Sequence, residues 1–237
     1  MEENITDINV LYKNPYEITN DKEILKWIPY SIGIEIEAPI NEKLDINIIE
    51  QELANIPYIL ASSKPDTFEN RFRIPNGKEG LICLLEISNY CKKNLLLNKK
   101  SGLHYHVDCT EWSNYLNAEN INSEIKDFIL NDLESWPDKG NYNYRDISNS
   151  KGFWLSFRKK LSTIEYRIGE MTFDYPILLE RIIHISKLTT ILKNHLTNKR
   201  FNLHKLLNTH KYEFNNKLVN VEENEIKQIL SNRYVVL

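Results

Sequence analysis

The sequence predicts an α+β fold in which one β-sheet carries helices on one of its faces. Two patterns indicate this fold class. Short segments in which apolar and polar residues alternate strictly are typical of half-buried strands. Longer segments with apolar residues every three or four positions are typical of amphipathic helices. The 237 residues contain no internal repeat and no linker rich in Pro, Gly or Ser, so we expect a single domain.

Strict alternation predicts the strands of the sheet. The first, Ser31–Pro39, ends at a proline, a residue that cannot donate a hydrogen bond to a neighbouring strand. The others are Phe68–Pro75, Leu103–Asp108, Phe153–Phe157 and Ser162–Glu170. The segment Lys139–Lys151 is polar and rich in Tyr and Asn, and we expect it to be a loop.

Apolar residues at helical spacing predict helices beside these strands. The longest follows Asp174, a residue type that caps helix N-termini, and it carries Pro176 in its first turn. The predicted helices are Asp21–Trp27, Leu44–Asn55, Glu79–Leu95, Asn122–Trp136, which Pro137 stops, and a long helix from Asp174 to about Leu196. Residues 1–30 are then an irregular N-terminal segment, 31–200 the main domain, and 201–237 a helical tail packed on the same domain.

The composition excludes several classes of protein. There are 30 Lys and Arg against 33 Asp and Glu, which gives a net charge of −3, and 11% of the residues are aromatic. Disordered chains have few aromatic residues and a large net charge, so the chain is expected to fold. A nucleic-acid partner is not expected, because nucleic-acid-binding domains are usually strongly basic.

The cysteines and the hydropathy favour a soluble cytoplasmic protein. Cys83, Cys91 and Cys109 are odd in number and lack zinc-site spacing, so we expect buried thiols in a reducing compartment. The first residues show neither the basic nor the apolar region of a signal peptide. No apolar run approaches the roughly 20 residues that a membrane helix needs, so no membrane partner is expected.

One side of the predicted sheet carries side chains that bind metals and anions. Residues two apart in a strand point to the same side. The residues on this side, which we call the polar face, are Glu35 and Glu37; Glu69, Arg71 and Arg73; His104, His106 and Asp108; and Thr163, Glu165 and Arg167. The intervening residues of the same strands are apolar, apart from Asn70, which suits them to contact the helices.

The polar face predicts a divalent metal site with a phosphate-binding site. Neighbouring carboxylates repel one another unless a cation neutralises them, histidines are neutral ligands at pH 7, and arginines bind phosphate. The ordinary alternative is a set of cross-strand Glu–Arg pairs, each worth about 0.2–1 kcal/mol. Because charged and imidazole side chains line the same side of four strands, we favour the metal and phosphate site over ordinary cross-strand pairs. Arg145 in the expected loop, and Lys151 and Arg158 beside the fourth strand, are further candidates to bind phosphate.

The ordered strings GIEIE, SGLHYH and TIEYR resemble the amidoligase family of the carboxylate–amine ligase superfamily, which includes glutamine synthetase and glutamate–cysteine ligase. FENRFRIPNG is similar to a segment of phage-associated amidoligases. The resemblance spans about Ser31 to Ile185. It implies that 31–200 is an amidoligase catalytic domain, whose curved antiparallel sheet forms an open funnel with helices outside, as in the glutamine synthetase catalytic domain.

The resemblance also implies roles for the polar face. Glu35 and Glu37 would each bind Mg²⁺ or Mn²⁺, and His104 and Glu165 would complete the ion nearest the γ-phosphate of ATP. Arg167 would steady the transferring phosphoryl group, with Glu165 beside it as the other catalytic residue. The remaining assignments are Glu69 to metal, His106, Arg71 and Arg73 to substrate, and Arg145, Lys151 and Arg158 to ATP phosphates.

The expected function is therefore an ATP-dependent ligase that joins a carboxylate to an amine through an acyl phosphate. Its partners would be ATP and small-molecule or peptide substrates, and its compartment the cytoplasm, or the host cytoplasm if a phage encodes it. Two alternatives stay open: a catalytically silent relative that acts as a binding or virion-associated protein, and a metal-dependent hydrolase. The substrates and the oligomeric state are also open.

Overall fold

The computed structural model describes residues 28–41, 47, 51, 59–62, 69–98, 101–134, 136, 144–198 and 200–203. The chain divides into two compact units, Met1–Thr197 and Asn198–Leu237, and every element named below belongs to the first. Across the described residues, no helix has both the length and the apolar character needed to cross a membrane.

Some predicted elements fall outside the described residues. These are the helix Asp21–Trp27, nearly all of the irregular segment 1–30, and nearly all of the tail 201–237. Of the predicted helix Leu44–Asn55, the structure describes Asn47 and Gln51, and both are helical.

Within the described residues, seven strands form one open sheet in the order β2–β3–β1–β4–β7–β6–β5. The strands are β1 (Ile32–Glu37), β2 (Ile59–Ser62), β3 (Glu69–Ile74), β4 (Gly102–Asp108), β5 (Tyr144–Ser148), β6 (Phe153–Arg158) and β7 (Thr163–Tyr166). Neighbouring strands are antiparallel except β5 and β6, which are parallel. The prediction of an α+β fold is confirmed, and the predicted antiparallel sheet is found for every neighbouring pair except β5 and β6.

Three α-helices accompany the sheet in the described part of the chain: α1 (Gly77–Asn94), α2 (Ser123–Glu134) and α3 (Tyr175–Thr197). Their bounds lie within a few residues of the predicted ones. Helix α3 begins directly after Asp174, whose backbone carbonyl accepts a hydrogen bond from Leu178 N. Helix α2 ends at Glu134, just before Pro137, which cannot continue the hydrogen-bonding pattern of a helix.

The apolar side of the sheet packs against α1 and α3. The ring of Phe72 on β3 meets Tyr90 of α1 edge-on, with 5.9 Å between the ring centroids. The hydroxyl of Tyr166 on β7 lies 2.9 Å from Thr189 Oγ1 of α3. A large apolar side chain contributes roughly 1.5–3 kcal/mol when fully buried. This burial determines which side of each strand faces the helices, so the polar face lies on the other side.

The prediction of a loop over Lys139–Lys151 is wrong for Tyr144–Ser148, which forms the edge strand β5. Among the described strands β5 pairs with β6 alone, and Ile147 is its single buried residue. The strand therefore lacks the alternation that marks the inner strands. The other edge strand, β2, is not predicted by alternation either.

Candidate functional site

Strand register places the polar-face residues in two rows across the sheet. In one row, Glu35 on β1 lies opposite Arg71 on β3 and opposite His104 on β4. In the next row, His106 on β4 lies opposite Gly33 on β1 and opposite Glu165 on β7. Adjacent strands are about 4.8 Å apart, so side chains from three strands can reach one another on this face.

Glu35, Glu37 and His104 form a group that could hold a metal ion, which we call the Glu–Glu–His cluster. One ligand atom from each residue can be chosen so that all three lie within 4.8 Å of one another. His104 Nδ1 is 3.7 Å from Glu35 Oε1 and 3.9 Å from Glu37 Oε1. The assignment of these three residues to metal therefore has a geometric basis, and the structure brings all three to a single position.

The ring of His104 is held in place with one nitrogen unused. The side chain is 8% exposed, and its Nε2 lies 3.3 Å from Arg167 Nη1. Its Nδ1 is buried and makes no hydrogen bond. Buried polar atoms without a partner are uncommon in folded proteins. Because Arg167 donates to Nε2, a neutral His104 carries its hydrogen on Nδ1, towards the two carboxylates. A metal ion at Nδ1 would require this hydrogen to move to Nε2 and Arg167 to release the ring.

Gly102 makes room for the carboxylate of Glu37. The two residues lie opposite each other on β4 and β1. A Cβ atom placed on Gly102 would be only 2.7 Å from Glu37 Oε2. The absence of a side chain at the start of β4 thus lets the Glu37 carboxylate lie over the neighbouring strand, on the side where His104 is found.

Glu165, Arg158 and Arg167 form a second group, which we call the Glu165–arginine cluster. Arg167 donates from Nε and Nη2 to Glu165 Oε1, at 2.7 Å and 2.6 Å. Arg158 Nη1 donates to Glu165 Oε2 at 3.4 Å. The Glu165 side chain is 1% exposed, whereas the two arginines remain partly exposed. Two guanidinium groups and one carboxylate leave a net charge of +1, which attracts an anion.

That His104 and Glu165 would complete one ion stays a prediction. Both Glu165 oxygens are in ion pairs with arginine, and the group with metal-binding geometry contains Glu37 instead. Glu165 therefore holds the arginines in place. The two clusters are still adjacent, because Arg167 contacts both Glu165 and His104.

Arg71 and Arg73 lie on β3, at the side of the Glu–Glu–His cluster away from Glu165. Arg71 Nε is 4.0 Å from Glu35 Oε2, and its side chain is exposed. Arg73 Nε donates to Ser31 Oγ at 2.8 Å. Glu69 lies opposite Glu37 in the register of β3 and β1. Arginine side chains thus lie on both sides of the central carboxylates and imidazoles.

Arg145 and Lys151, which the sequence analysis assigns to phosphate, are placed elsewhere. Arg145 lies on the edge strand β5 and binds Glu134 of α2, with 2.6 Å between Nη2 and Oε2. Lys151 is exposed in the turn before β6. Arg145 also donates to Asn131 Oδ1 at 3.0 Å. Its guanidinium carbon also lies 5.9 Å from the ring centroid of Trp154 on β6. None of these partners of Arg145 belongs to either cluster.

Sequence reasoning missed two residues of β6 that share the polar face. Ser156 lies opposite Glu165 and is buried, and its hydroxyl donates to Ser150 O at 2.8 Å. Trp154 precedes it by two residues and is also buried. The alternation in FWLSFR places both on the same side as Arg158, so the pattern that identified the other strands could have found them.

The chain matches no protein-family model, no curated protein and no solved structure. The chemistry of the polar face must therefore be inferred from its own side chains.

Proposed function

We propose that this chain is an ATP-dependent carboxylate–amine ligase that forms an amide bond through an acyl phosphate. One observation carries the proposal. A group suited to a divalent cation, the Glu–Glu–His cluster, lies directly beside a group suited to a phosphoryl anion, the Glu165–arginine cluster. The order of GIEIE, SGLHYH and TIEYR along the chain, with its resemblance to amidoligases, supports the same function.

The donor atoms of the Glu–Glu–His cluster fit Mg²⁺ or Mn²⁺. Glu35 and Glu37 offer carboxylate oxygens, which both ions prefer, and His104 offers an imidazole nitrogen, which suits Mn²⁺ better than Mg²⁺. The bound ion would neutralise charge on the terminal phosphates of ATP. Binding of the ion to Nδ1 of His104 would move the ring hydrogen to Nε2 and so free Arg167 from the imidazole.

The arginines would bind the phosphoryl group as it moves from ATP to the substrate carboxylate. Arg167 and Arg158 are held by Glu165, so part of the entropy cost of positioning them is already met before substrate binds. Their charge would stabilise the negative oxygens of the transferring group. Arg71, exposed beside Glu35, would bind the carboxylate substrate.

The reaction needs no nucleophile from the protein. A carboxylate oxygen of the substrate attacks the γ-phosphorus of ATP, the bond to the β-phosphate oxygen breaks, and ADP leaves. The amine then attacks the acyl carbon, inorganic phosphate leaves with the electrons of the C–O bond, and the proton that the nitrogen loses passes to the phosphate. Phosphoryl transfer depends mainly on positioning and charge neutralisation. The proposal includes a funnel-shaped sheet of the glutamine synthetase type, with which the open, mostly antiparallel sheet is compatible.

Nucleotide turnover tests this function. The protein is incubated with ATP, Mn²⁺ or Mg²⁺, and pools of amino acids and short peptides, and ADP and phosphate are measured. We expect turnover that requires both a carboxylate and an amine. Glu37→Gln should lower the rate at least tenfold, because it removes a charged metal ligand. Glu111→Gln, at an exposed carboxylate that pairs with Lys193 and belongs to neither cluster, is the matched control and should leave the rate unchanged. If the protein neither consumes ATP nor binds it in the presence of Mn²⁺, the proposal is wrong.

A further inference from the structure

His106 lies between the two clusters of the polar face. Its Nε2 is 3.3 Å from Glu35 Oε2 and 3.4 Å from Glu165 Oε1. Glu35 belongs to the Glu–Glu–His cluster and Glu165 to the Glu165–arginine cluster. One imidazole nitrogen therefore contacts the group that would hold the cation and the group that would receive the phosphate.

This nitrogen can make a full, linear hydrogen bond to only one of the two carboxylates at a time. An imidazole Nε2 carries at most one hydrogen, whatever its protonation state. In the structure Nε2 is buried and makes no hydrogen bond of good geometry. Its nearly equal distances from the two carboxylates place it between two alternative acceptors.

Gly33 lies against the base of the His106 side chain. It lies opposite His106 on β1, and a Cβ atom at Gly33 would be 3.4 Å from the Cβ of His106. This distance is at the short limit of ordinary van der Waals contact, so the two residues are closely packed across the strands.

At each of the two carboxylates, a second positive group would compete with His106. A cation bound by Glu35 would take electron density from Oε2, the oxygen that His106 faces. At Glu165, His106 faces Oε1, the same oxygen to which Arg167 donates twice. If the His106 N–H turns to Glu165, it competes with Arg167 for that oxygen.

We propose that His106 couples cation binding at Glu35 to phosphate binding at Arg167, which deepens the proposed function and rests on it. With the cation bound, His106 donates to Glu165 Oε1, and the N–H groups of Arg167 become available to a phosphoryl oxygen. With the phosphate bound, Arg167 releases Glu165, and the His106 N–H turns to Glu165. The Glu35 carboxylate then no longer accepts from His106 and can bind the cation. Because binding coupling is reciprocal, each ligand raises the affinity for the other by the same factor. His106 is thus a positioning residue.

The test measures this factor with a matched pair of variants. Mn²⁺ binding is titrated calorimetrically with and without the non-hydrolysable analogue adenosine 5′-(β,γ-imido)triphosphate. His106→Gln keeps an N–H donor, whereas His106→Met has a similar size and no donor. Direct contact between Mn²⁺ and phosphate is the same in both variants. We expect the analogue to tighten Mn²⁺ binding in the natural protein and in His106→Gln. In His106→Met this enhancement should fall by about fivefold or more, while the affinity for Mn²⁺ alone should not fall.

The outcomes separate this inference from the proposed function. If His106→Met keeps the full enhancement, or if His106→Gln loses as much as His106→Met, His106 does not couple the clusters, although the ligase proposal stands. If the natural protein binds neither Mn²⁺ nor the analogue, both proposals are overturned. Thermal unfolding checks that each variant is folded, and His106→Leu, which also lacks a donor, replaces the methionine variant if that one does not fold.

Discussion

At the scale of single residues, glycine positions shape the candidate site as much as its charged side chains do. Gly33 packs closely against the base of His106, and Gly102 leaves space for the carboxylate of Glu37. Both lie within strands, where glycine has a high conformational entropy cost on folding. The sequence alone gives no reason for glycine at these two positions, because the reason lies on the neighbouring strand.

Replacing Gly102 should affect metal binding and not stability. A Cβ atom at this position meets Glu37 Oε2, the end of a flexible side chain that can move away. We therefore expect Gly102→Ala to weaken Mn²⁺ binding about tenfold or more, as loss of a supporting contact in a metal site commonly does. The free energy of unfolding should stay equal or rise, since alanine loses less entropy on folding than glycine.

Calorimetry with Mn²⁺ and urea unfolding measure the two effects separately. Gly152→Ala is not a suitable control, because Gly152 has a φ of 90°, where a side chain is strained. Ser113→Ala, at a surface residue of a 3₁₀ turn, is a better one and should leave Mn²⁺ affinity unchanged. Unchanged Mn²⁺ affinity in Gly102→Ala would contradict the assignment of Glu37 as a ligand.

At the scale of secondary-structure elements, edge strand β5 is attached to helix α2 by ion pairs. Lys126 Nζ lies 2.7 Å from Asp146 Oδ1, and Arg145 Nη2 lies 2.6 Å from Glu134 Oε2. These pairs connect two elements that sequence reasoning treated as a helix and a loop. Alternation could not identify β5, because a strand with one buried side chain has almost no apolar face to alternate with a polar one.

The pKa of Asp146 is lowered in the folded protein. Partial burial opposes this shift, but hydrogen bonds from Lys126 and from the N–H of Ile147 outweigh it, together with the positive charges of Lys126 and Arg145. An aspartate with a lowered folded pKa stabilises the protein above its unfolded pKa of about 3.9. This stabilisation is lost as the pH falls through the folded pKa.

Asp146→Asn should therefore lower the free energy of unfolding at pH 7 and have little effect near pH 2. The difference at pH 7 should be below about 1 kcal/mol, because the pair is solvent-exposed. Urea unfolding at both pH values measures it, with Asp127→Asn, at an α2 position for which the structure records no ion pair, as the control. An equal loss at both pH values would show that charge pairing does not attach β5.

At the scale of the whole molecule, all three cysteines are buried, which confirms their prediction as buried free thiols. Burial raises the pKa of Cys109 to about 12 and raises that of Cys91 well above the usual range. The reactive form of cysteine is the thiolate, and little of it is present at neutral pH when the pKa is raised. The thiols therefore report on unfolding of the unit Met1–Thr197.

The natural protein should resist alkylation until it unfolds. With iodoacetamide at pH 7.5, mass spectrometry should find no modified cysteine in the native protein and three in concentrated urea. The urea concentration at which labelling begins should coincide with the unfolding transition followed by circular dichroism. Fast labelling of Cys109 in the native protein would show that the segment after β4 opens without global unfolding.

Much of the fold and part of the site could be predicted from the sequence. Strands β1, β3, β4, β6 and β7 and all three described helices lie close to their predicted positions. Alternation also assigned Glu35, His104 and Glu165 to one side of the sheet, because a strand has a fixed period of two and its buried side must be apolar. These are local properties, so a single sequence carries them.

Strand order and register were decided only by the tertiary structure. Alternation shows which side of a strand a residue faces, but not which strand lies beside it or at what offset. Register placed His104 opposite Glu35 and His106 opposite Glu165, so Glu165 pairs with arginines while Glu37 joins the group with metal-binding geometry. It also placed His106 between the clusters and Gly102 under Glu37. The sequence by itself therefore determined the chemistry of the polar face, and pairing between distant segments decided how that chemistry is divided into sites.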